Sequence, residues 1–454
     1  MNRKGWAGTA ALLGGVAVAY ANSLSGSFQY DDFNVIVDNP SVHSLRAWLS
    51  GAAGGIRPLL KLSYALNRTV GTGPFGFHLV NTAVHAANVC LVYALSRRIL
   101  PARNGTQADG IAPGPFIAAL LFALHPIQTE AVTYVSGRSM SLMAFFYLAS
   151  LLCYVRGVEE NDRARIYFAS PSLFLLALLT RETAATLPAA LLLWETAAPG
   201  RRAVFRESAR RQSVHWALLA CAAAWFLLHP AYGKIWGARI VSGDMAGAAI
   251  AQVRGVSYLL SRLAMAHRLS IDPDIAVPGA WTLLTGAEGV LLLSLAAAGV
   301  AAWRRFPAVA FGILWFFLHL APAYSFIRRL DVASERHLYL ACWGIFLAVG
   351  AWAGTLRTAH WVPVAVLGGI LLTVLTIARN HEYRSEVALW EKEVRLFPAN
   401  PRARNNLGYA YQQAGRREDA IGCYREALRL DPGHRRARGN LAVLTGDAPQ
   451  EGEY

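Results

Sequence analysis

Charged residues are scarce in this chain. Asp, Glu, Lys and Arg make up only 16% of its 454 residues, and 55% of the residues are hydrophobic, whereas soluble domains carry about 25% charge. This composition excludes a disordered chain and an ordinary cytosolic enzyme. Cysteine is scarce too, and its five copies show no paired spacing, which excludes a disulfide framework. A membrane protein is the interpretation that remains.

Acidic residues are outnumbered by basic ones, 28 to 43, which gives a net charge of +15. In a soluble protein that excess would favour binding to nucleic acid. Here the basic residues stand between apolar segments, and 13 of them follow Ile377. This distribution indicates membrane topology. We therefore expect contact with a lipid bilayer and no nucleic-acid partner.

Long apolar segments recur along the chain. A membrane-spanning helix needs about 20 mainly apolar residues, and eleven segments approach that length, which predicts an all-α polytopic membrane protein. The first shows no clean cleavage site and is expected to remain as an anchor. A further segment, 250–268, is interrupted by arginines and is interpreted as a membrane-surface or re-entrant helix. The predicted spans are 6–24, 77–99, 115–134, 139–156, 166–180, 182–198, 214–231, 286–303, 306–323, 338–356 and 361–378.

The loops between these segments differ in charge. Alternate loops are short and rich in arginine, and positively charged loops mark the cytoplasmic side. They place the amino terminus inside, and an odd number of spans then places the carboxyl terminus outside. If 250–268 crossed the membrane, the tail would move inside.

The end of the chain is polar and helical. Residues 401–434 fit a tetratricopeptide unit, in which the small Gly408 lets two helices approach and Tyr424 fills the groove between them. We predict a membrane domain over 1–378 and a tetratricopeptide-repeat domain over 379–454. An array this short is expected to lean on the membrane domain or on a protein partner. A packed appendage without a ligand is the alternative.

Ionisable residues collect at the predicted outer ends of the spans, where they are costly to keep. Asp31 and Asp32 are the most informative, because adjacent carboxylates near a bilayer repel each other and add no stability. Neighbouring residues point in different directions, so we expect one carboxylate to face a reacting centre and the other to hold the loop. A solvated loop is the alternative. The other candidates are Arg57, His125, Glu130, Arg138, Arg181, Glu182, Glu335, Arg336 and His337.

Some of these candidates have simpler explanations. Glu182 follows Arg181, and Glu335 precedes Arg336, so either carboxylate could form an ion pair that ties helix ends together. His125 precedes a proline, which disfavours helical geometry in the residue before it, so His125 could simply end a helix.

A carboxylate, arginines and a bilayer together suit one chemistry, the transfer of a sugar from a polyprenyl-phosphate donor. The lipid stays in the membrane, arginines stabilise the phosphate as it leaves, and a carboxylate takes the proton from the attacking hydroxyl. One base is sufficient when the sugar is transferred with inversion.

The motifs at these positions resemble the transmembrane-and-tetratricopeptide-repeat (TMTC) O-mannosyltransferases and, more broadly, the GT-C fold of multi-span glycosyltransferases. The resemblance covers nearly the whole chain. Gln128 replaces the family's second histidine, Arg181 stands for a lysine, and Ala341 for a proline. The short repeat array points to a bacterial relative. The resembling blocks are Tyr30-Asp31-Asp32, 57–67, 77–85, 125–139 and 334–340.

The resemblance implies roles for individual residues. Asp31 is the expected general base, with Asp32 and Glu130 orienting the acceptor or the sugar. Arg138 and Arg336 would contact the donor phosphate, with Arg181 and His337 in support. It also implies an acceptor protein or peptide, no metal and no cofactor, and a site and tail on the periplasmic face of a bacterial inner membrane.

Three other functions compete with this one. A non-catalytic scaffold would present the repeats to an envelope partner, but it does not explain the acids and arginines at the span ends. A lipid-linked sugar flippase should keep its polar residues at the midplane. An oligosaccharide ligase with a pyrophosphate donor would need more contacts to phosphate.

Overall fold

The computed structural model describes residues 3–52, 55–100, 111–197, 205–230, 232–233, 245–324, 331–356 and 358–446. Every regular element in those ranges is helical, and none is a strand. The all-α fold class expected from the sequence is therefore confirmed. Single turns of 3₁₀ or π-helix join several of the α-helices.

The α-helices of the described residues are numbered here in chain order. They are α1 (Arg3–Tyr20), α2 (Leu45–Gly51), α3 (Pro58–Val70), α4 (Pro74–Ile99), α5 (Pro113–Leu124), α6 (Thr129–Val132), α7 (Arg138–Glu160), α8 (Ser170–Thr180), α9 (Leu187–Ala197), α10 (Phe205–Arg211), α11 (Ser213–Leu228), α12 (Met245–Ala264), α13 (Leu283–Ala301), α14 (Pro307–Leu320), α15 (Leu338–Ala353), α16 (Thr358–Glu382), α17 (Glu386–Leu396), α18 (Pro401–Gln413), α19 (Arg417–Leu430) and α20 (Arg435–Thr445).

Proline and small polar residues mark where many of these helices begin. Pro58, Pro74 and Pro307 lie in the first turn of α3, α4 and α14, where a missing N–H loses no helical bond. Ser385 and Asn400 cap α17 and α18, because their side chains accept backbone N–H bonds. The local sequence thus sets where several helices of the bundle and of the tail begin.

Among the described residues, fewer helices than predicted are long and apolar enough to cross a membrane. Five are long and apolar enough, and a pair bent by 50° adds a sixth if it counts as one span. The count of eleven is not confirmed, because other apolar helices are short: the 16 residues of α15 extend about 24 Å, against about 30 Å of hydrocarbon. The five are Trp6–Ser25, Pro74–Ile99, Val135–Glu160, Leu283–Arg304 and His360–Glu382, and the bent pair is Pro113–Leu124 with Pro126–Val132.

The segment 250–268, interpreted from the sequence as a surface or re-entrant helix, lies largely within α12. Among the described residues, α12 is not one of the helices apolar enough to cross a membrane. Its Arg254 pairs with Glu288 at 2.6 Å, and its Arg262 donates to the carbonyl of Arg268 at 2.7 Å. The arginines that interrupt the segment are thus held by polar partners beside it.

Close packing of the apolar helices depends on small residues. Gly312 of α14 faces Gly344 of α15, and a methyl group on either would overlap the other's backbone carbonyl. Gly114 and Gly350 form a second crossing of the same kind between α5 and α15. Small residues let apolar helices approach closely where the hydrophobic effect is weak. These crossings leave α15 buried at the centre of the bundle.

The carboxyl-terminal ends of α1 and α16 lie side by side. Asn22 donates to the carbonyl of Ile377 at 2.9 Å, and Asn380 donates to the carbonyl of Ala19 at 2.8 Å. The loop that follows α1 and the tail that follows α16 therefore leave the bundle on the same side. This is the arrangement expected if the chain crosses the membrane an odd number of times from α1 to α16.

The described part of the tail consists of four helices, α17 to α20, stacked in order. A methyl group on Gly408 would meet the Tyr424 ring at 2.7 Å, so the close approach expected in the 401–434 repeat is present. The remaining residues of the predicted domain, 447–454, lie outside the described residues, and its boundary at 379 stays a prediction.

Buried charges attach the tail to the membrane domain. Lys392 of α17 donates to the carbonyl of Leu269 at 2.7 Å. Glu393 accepts from the Ser270 hydroxyl at 2.5 Å and from the Ile271 N–H at 3.1 Å. Burial lowers the pKa of Lys392 to about 8, and such groups are tolerated only when paired. The tail is thus held at a defined position against the loop that follows α12.

Candidate functional site

The loop after α1 separates the two adjacent carboxylates. Asp32 is buried, and its carboxylate accepts the backbone N–H of Gln29 at 3.0 Å and that of Ser136 at 2.7 Å. These bonds close the loop on itself and tie it to the start of α7. Burial raises the pKa of Asp32 to about 7, although both N–H bonds act in the opposite direction. Asp32 therefore holds the loop.

Asp31 takes the other orientation. Its N–H donates to the Tyr134 hydroxyl at 2.9 Å, and its half-buried side chain lines a cavity of about 100 Å³. Within the described residues, no hydrogen bond or ion pair engages the Asp31 carboxylate. The preceding Tyr30 has a φ of 45°, in a region that ordinary residues enter only when their surroundings enforce it. The strained turn presents an uncommitted carboxylate to the cavity.

Glu130 and Arg336 also line this cavity. The Glu130 carboxylate accepts the Ser334 hydroxyl at 2.9 Å and the Arg336 N–H at 2.8 Å. It also lies 3.5 Å from Nε of Arg336. The Arg336 side chain is 23% exposed, and its Nε makes no hydrogen bond to any described residue. Glu130 thus holds the guanidinium in place and leaves it donors for an anion.

The tail completes the cavity, although sequence reasoning assigned it no site residue. Trp390 of α17 packs edge-on against Tyr30, with ring centroids 5.4 Å apart. Arg402 of α18 donates to Asp272 at 2.7 Å and to Asp331 at 2.8 Å, and all five side chains line the cavity. No sequence signal short of the fold could have placed them there, because the paired residues are 71 and 130 positions apart.

A second charged cluster lies at the ends of α3 and α8. Arg57, at φ 54°, donates Nε to Glu182 at 3.0 Å and Nη2 at 2.9 Å. Tyr232 also donates to Glu182, at 2.9 Å, and Arg181 donates to the Ser139 hydroxyl at 2.7 Å. Glu182 therefore forms an ion pair with Arg57. None of this cluster lines the cavity around Asp31.

Arg138 lies behind the cavity, not in it. Its side chain is fully buried, and it donates to Asn81 at 2.6 Å, to Asn67 at 2.8 Å and to the carbonyl of Phe77 at 3.0 Å. Its guanidinium also lies over the Tyr64 ring, 4.8 Å from the centroid. Arg138 does not line the cavity, and its donors already join α3, α4 and α7; its contact with a donor phosphate stays a prediction.

The three remaining candidates hold helix ends. His125 accepts the Ile127 N–H at 3.2 Å, which caps the turn at the bend after α5. Glu335 accepts the N–H of Ser270 at 2.7 Å, and burial raises its pKa to about 8. His337 lies 3.0 Å from the Tyr324 hydroxyl. Only His125 shows the simpler role considered for it, because the ion pair of Glu335 is with Arg379 at 3.7 Å and not with its neighbour Arg336. The roles of the three residues in the reaction stay predictions.

Comparison with known proteins gives two kinds of match. Residues 401–434 match the tetratricopeptide-repeat family. Protein O-mannosyl-transferase TMTC1 of Homo sapiens is 27% identical, over 98% of this chain and 57% of its own length. The Mus musculus TMTC1 protein is 26% identical over 97% and 60%, and protein O-mannosyl-transferase F38B6.6 of Caenorhabditis elegans is 26% identical over 92% and 62%. No solved structure matches.

These matches confirm the resemblance found in the sequence. Homologues at 26–27% identity over most of the chain are TMTC O-mannosyltransferases, and the tail carries a tetratricopeptide repeat. The chain spans about three fifths of the length of the curated relatives that it matches.

Proposed function

We propose that this chain is an inverting hexosyltransferase of the GT-C class. It transfers a mannose-like sugar from a polyprenyl-phosphate donor to a Ser or Thr hydroxyl of an envelope or secreted protein. The observation that carries the proposal is the cavity in which Asp31, Glu130 and Arg336 meet. The names of the relatives, protein O-mannosyl-transferases, support mannose as the sugar and protein as the acceptor.

Asp31 suits the general base. Its carboxylate lines the cavity and is uncommitted within the described residues. In the reaction, the acceptor oxygen forms a bond to the anomeric carbon while its proton passes to Asp31. The bond between that carbon and the phosphate oxygen breaks, and polyprenyl phosphate leaves with the electron pair. Attack from the face opposite the phosphate inverts the anomeric centre.

Arg336 suits the phosphate site. Its guanidinium faces the cavity, and Glu130 fixes its direction. Charge-assisted bonds from arginine strengthen as the leaving oxygen gains charge. The proposal requires no metal ion or cofactor, since arginine supplies the compensating charge.

The cavity and the tail lie on the side of the bundle where α1 and α16 end. We assign this side to the periplasmic face of a bacterial inner membrane, because the arginine-rich loops lie at the opposite ends of the spans. A reporter that is active only outside the cytoplasm, fused to the carboxyl terminus, should therefore be active. Activity of a cytoplasm-only reporter at that position would overturn the assignment.

A transfer assay tests the function itself. The purified protein in detergent is mixed with polyprenyl-phosphate mannose and a Thr-containing peptide, and the mass of the peptide is measured by mass spectrometry. We expect the mass of one hexose to be added, also in the presence of EDTA, and no addition from a pyrophosphate-linked donor. The non-catalytic scaffold predicts no transfer from either donor. Addition that stops in EDTA would overturn the metal-free mechanism.

A further inference from the structure

A second groove opens next to the cavity, between the tail and the loop after α1. It measures about 280 Å³. Tyr30 forms one wall, and the other consists of tail residues from α18 and from the start of α20. Four of the seven side chains that line it are Arg or His and none is acidic.

The groove adjoins the cavity. Tyr30 and Arg402 line both spaces, and Tyr30 is the residue directly before the proposed base. A polypeptide that lies in the groove would therefore pass beside Asp31. The Asp31 cavity is too small to hold more than the reacting groups, so the rest of an acceptor must lie outside it.

Side-chain amides line the tail side of the groove. Asn405 donates to Asn406 at 3.1 Å, and Asn440 donates to Asn405 at 3.1 Å. Asn406 and Asn440 are 34 positions apart, one repeat length, so they occupy the same position in successive units. An amide offers both a donor and an acceptor, as the backbone of an extended peptide does. The two amides that line the groove, Asn405 and Asn406, therefore suit an extended chain of any sequence.

Positive charge adds a preference to this surface. Arg402 is neutralised by Asp272 and Asp331. Arg435 and Arg436 are exposed, and no ion pair joins either to a described residue. Two uncompensated guanidinium groups that face one groove attract carboxylates, to which arginine can bind through two parallel hydrogen bonds.

We propose that this groove binds the acceptor polypeptide in an extended conformation and prefers acidic residues beside the acceptor Ser or Thr. The proposal rests on the proposed function and names its class of acceptor. The amides hold the peptide backbone, Arg435 and Arg436 hold its acidic side chains, and the hydroxyl enters the cavity beside Tyr30.

The test compares three synthetic peptides that share a central Thr and differ in three flanking residues, which are Asp, Asn or Lys. The wild-type protein should show the lowest KM for the Asp peptide. The double variant Arg435→Glu/Arg436→Glu should raise that KM by about two- to thirtyfold, the range for two surface ion pairs, and should lower the KM for the Lys peptide. The kcat at saturating peptide should change little.

The matched control is the double variant Arg425→Glu/Arg429→Glu. Both arginines are exposed on α19 of the same tail and lie outside the groove, so the order of the three peptides should stay as in the wild type. If the control shifts the KM values as much as the groove variant does, the effect is one of net charge, and the proposal is overturned. Equal KM values for all three peptides in the wild type would also overturn it.

Direct binding separates this proposal from the proposed function. Fluorescence anisotropy of a labelled Asp peptide measures affinity without any sugar donor. If the Asp peptide binds, Arg435→Glu/Arg436→Glu weakens that binding, and the protein transfers no sugar, the groove proposal is upheld and the proposed function is overturned. If the protein transfers sugar but shows no preference among the peptides, the proposed function is upheld and the groove proposal is overturned. Binding should also weaken with salt, because exposed charges are screened.

Discussion

Two neighbouring regions of this molecule contain the same pair of residue types and use them differently. In the cavity, Asp31 is uncommitted within the described residues and Arg336 is 23% exposed. Behind it, Asp32 and Arg138 are buried, and both are engaged by backbone groups or side-chain amides. Because chemistry needs groups with hydrogen-bonding capacity to spare, the cavity pair is suited to reaction and the buried pair to support.

Replacing the proposed base, Asp31, should have the largest effect and tests most directly whether the cavity pair takes part in the reaction. Asp31→Asn keeps the volume of the side chain but cannot accept the hydroxyl proton, so kcat should fall by about 10²–10⁴-fold. Asp38→Asn is the matched control, since Asp38 is exposed in the same loop and does not line the cavity. Transfer rates with polyprenyl-phosphate mannose measure both. Near-normal turnover of Asp31→Asn would move the base elsewhere, with Glu130 the next candidate.

Removing the buried arginine should affect folding instead. Arg138→Leu leaves Asn81, Asn67 and the carbonyl of Phe77 without their donor. Buried polar groups left unsatisfied cost about 1–3 kcal/mol each. We expect a much lower yield of folded protein and a lower melting temperature in detergent. A variant that melts like the wild type yet loses transfer would show that Arg138 acts on the donor after all.

Arg336 should behave in the opposite way. Arg336→Ala removes one stabilising donor from the leaving phosphate, which is worth about 3 kcal/mol or roughly 100-fold in kcat, while the melting temperature stays near that of the wild type. Arg336→Lys should lose less, because lysine keeps the charge but not the fork. Parallel loss of melting temperature and activity would instead assign Arg336 to a structural ion pair with Glu130.

The sequence was sufficient to predict the helices, but not to predict which of two similar residues lines the cavity and which one is buried in support of it. Apolar length predicted helices such as α4 and α7, and the fit of residues 401–434 to a 34-residue unit predicted the repeat. The adjacent acids indicated that one would face a site and the other would hold the loop, and the resemblance implied Asp31 for the first role. In the fold Asp31 lines the cavity, while Asp32 accepts two backbone N–H bonds. Likewise, Arg138 and Arg336 both lie in sequence motifs near the start of a helix. One is buried and the other lines the cavity because of long-range contacts, which no local sequence pattern contains.

The number of membrane spans could not be predicted from the sequence for a related reason. Hydropathy alone treats 306–323 and 338–356 as spans, yet α14 and α15 have only 14 and 16 residues. Their shared glycine crossing buries them against each other. A short apolar helix in the centre of a bundle and a short span have the same composition, so periodicity and length cannot separate them.

The buried acid provides the smallest expected effect, a change in how stability depends on pH. Burial raises the pKa of Asp32 to about 7, against an ordinary value of 3.8. Between those values the folded protein binds more protons than the unfolded chain, so stability should fall as pH rises from about 4 to 7 and then level off. In Asp32→Asn this slope should become shallower, because an amide does not titrate.

Melting temperatures in detergent at pH 5 and pH 7.5, compared among the wild type, Asp32→Asn and Asp38→Asn, measure the difference in slope. An equal slope in all three would mean that the two N–H bonds from Gln29 and Ser136 keep Asp32 ionised throughout this range.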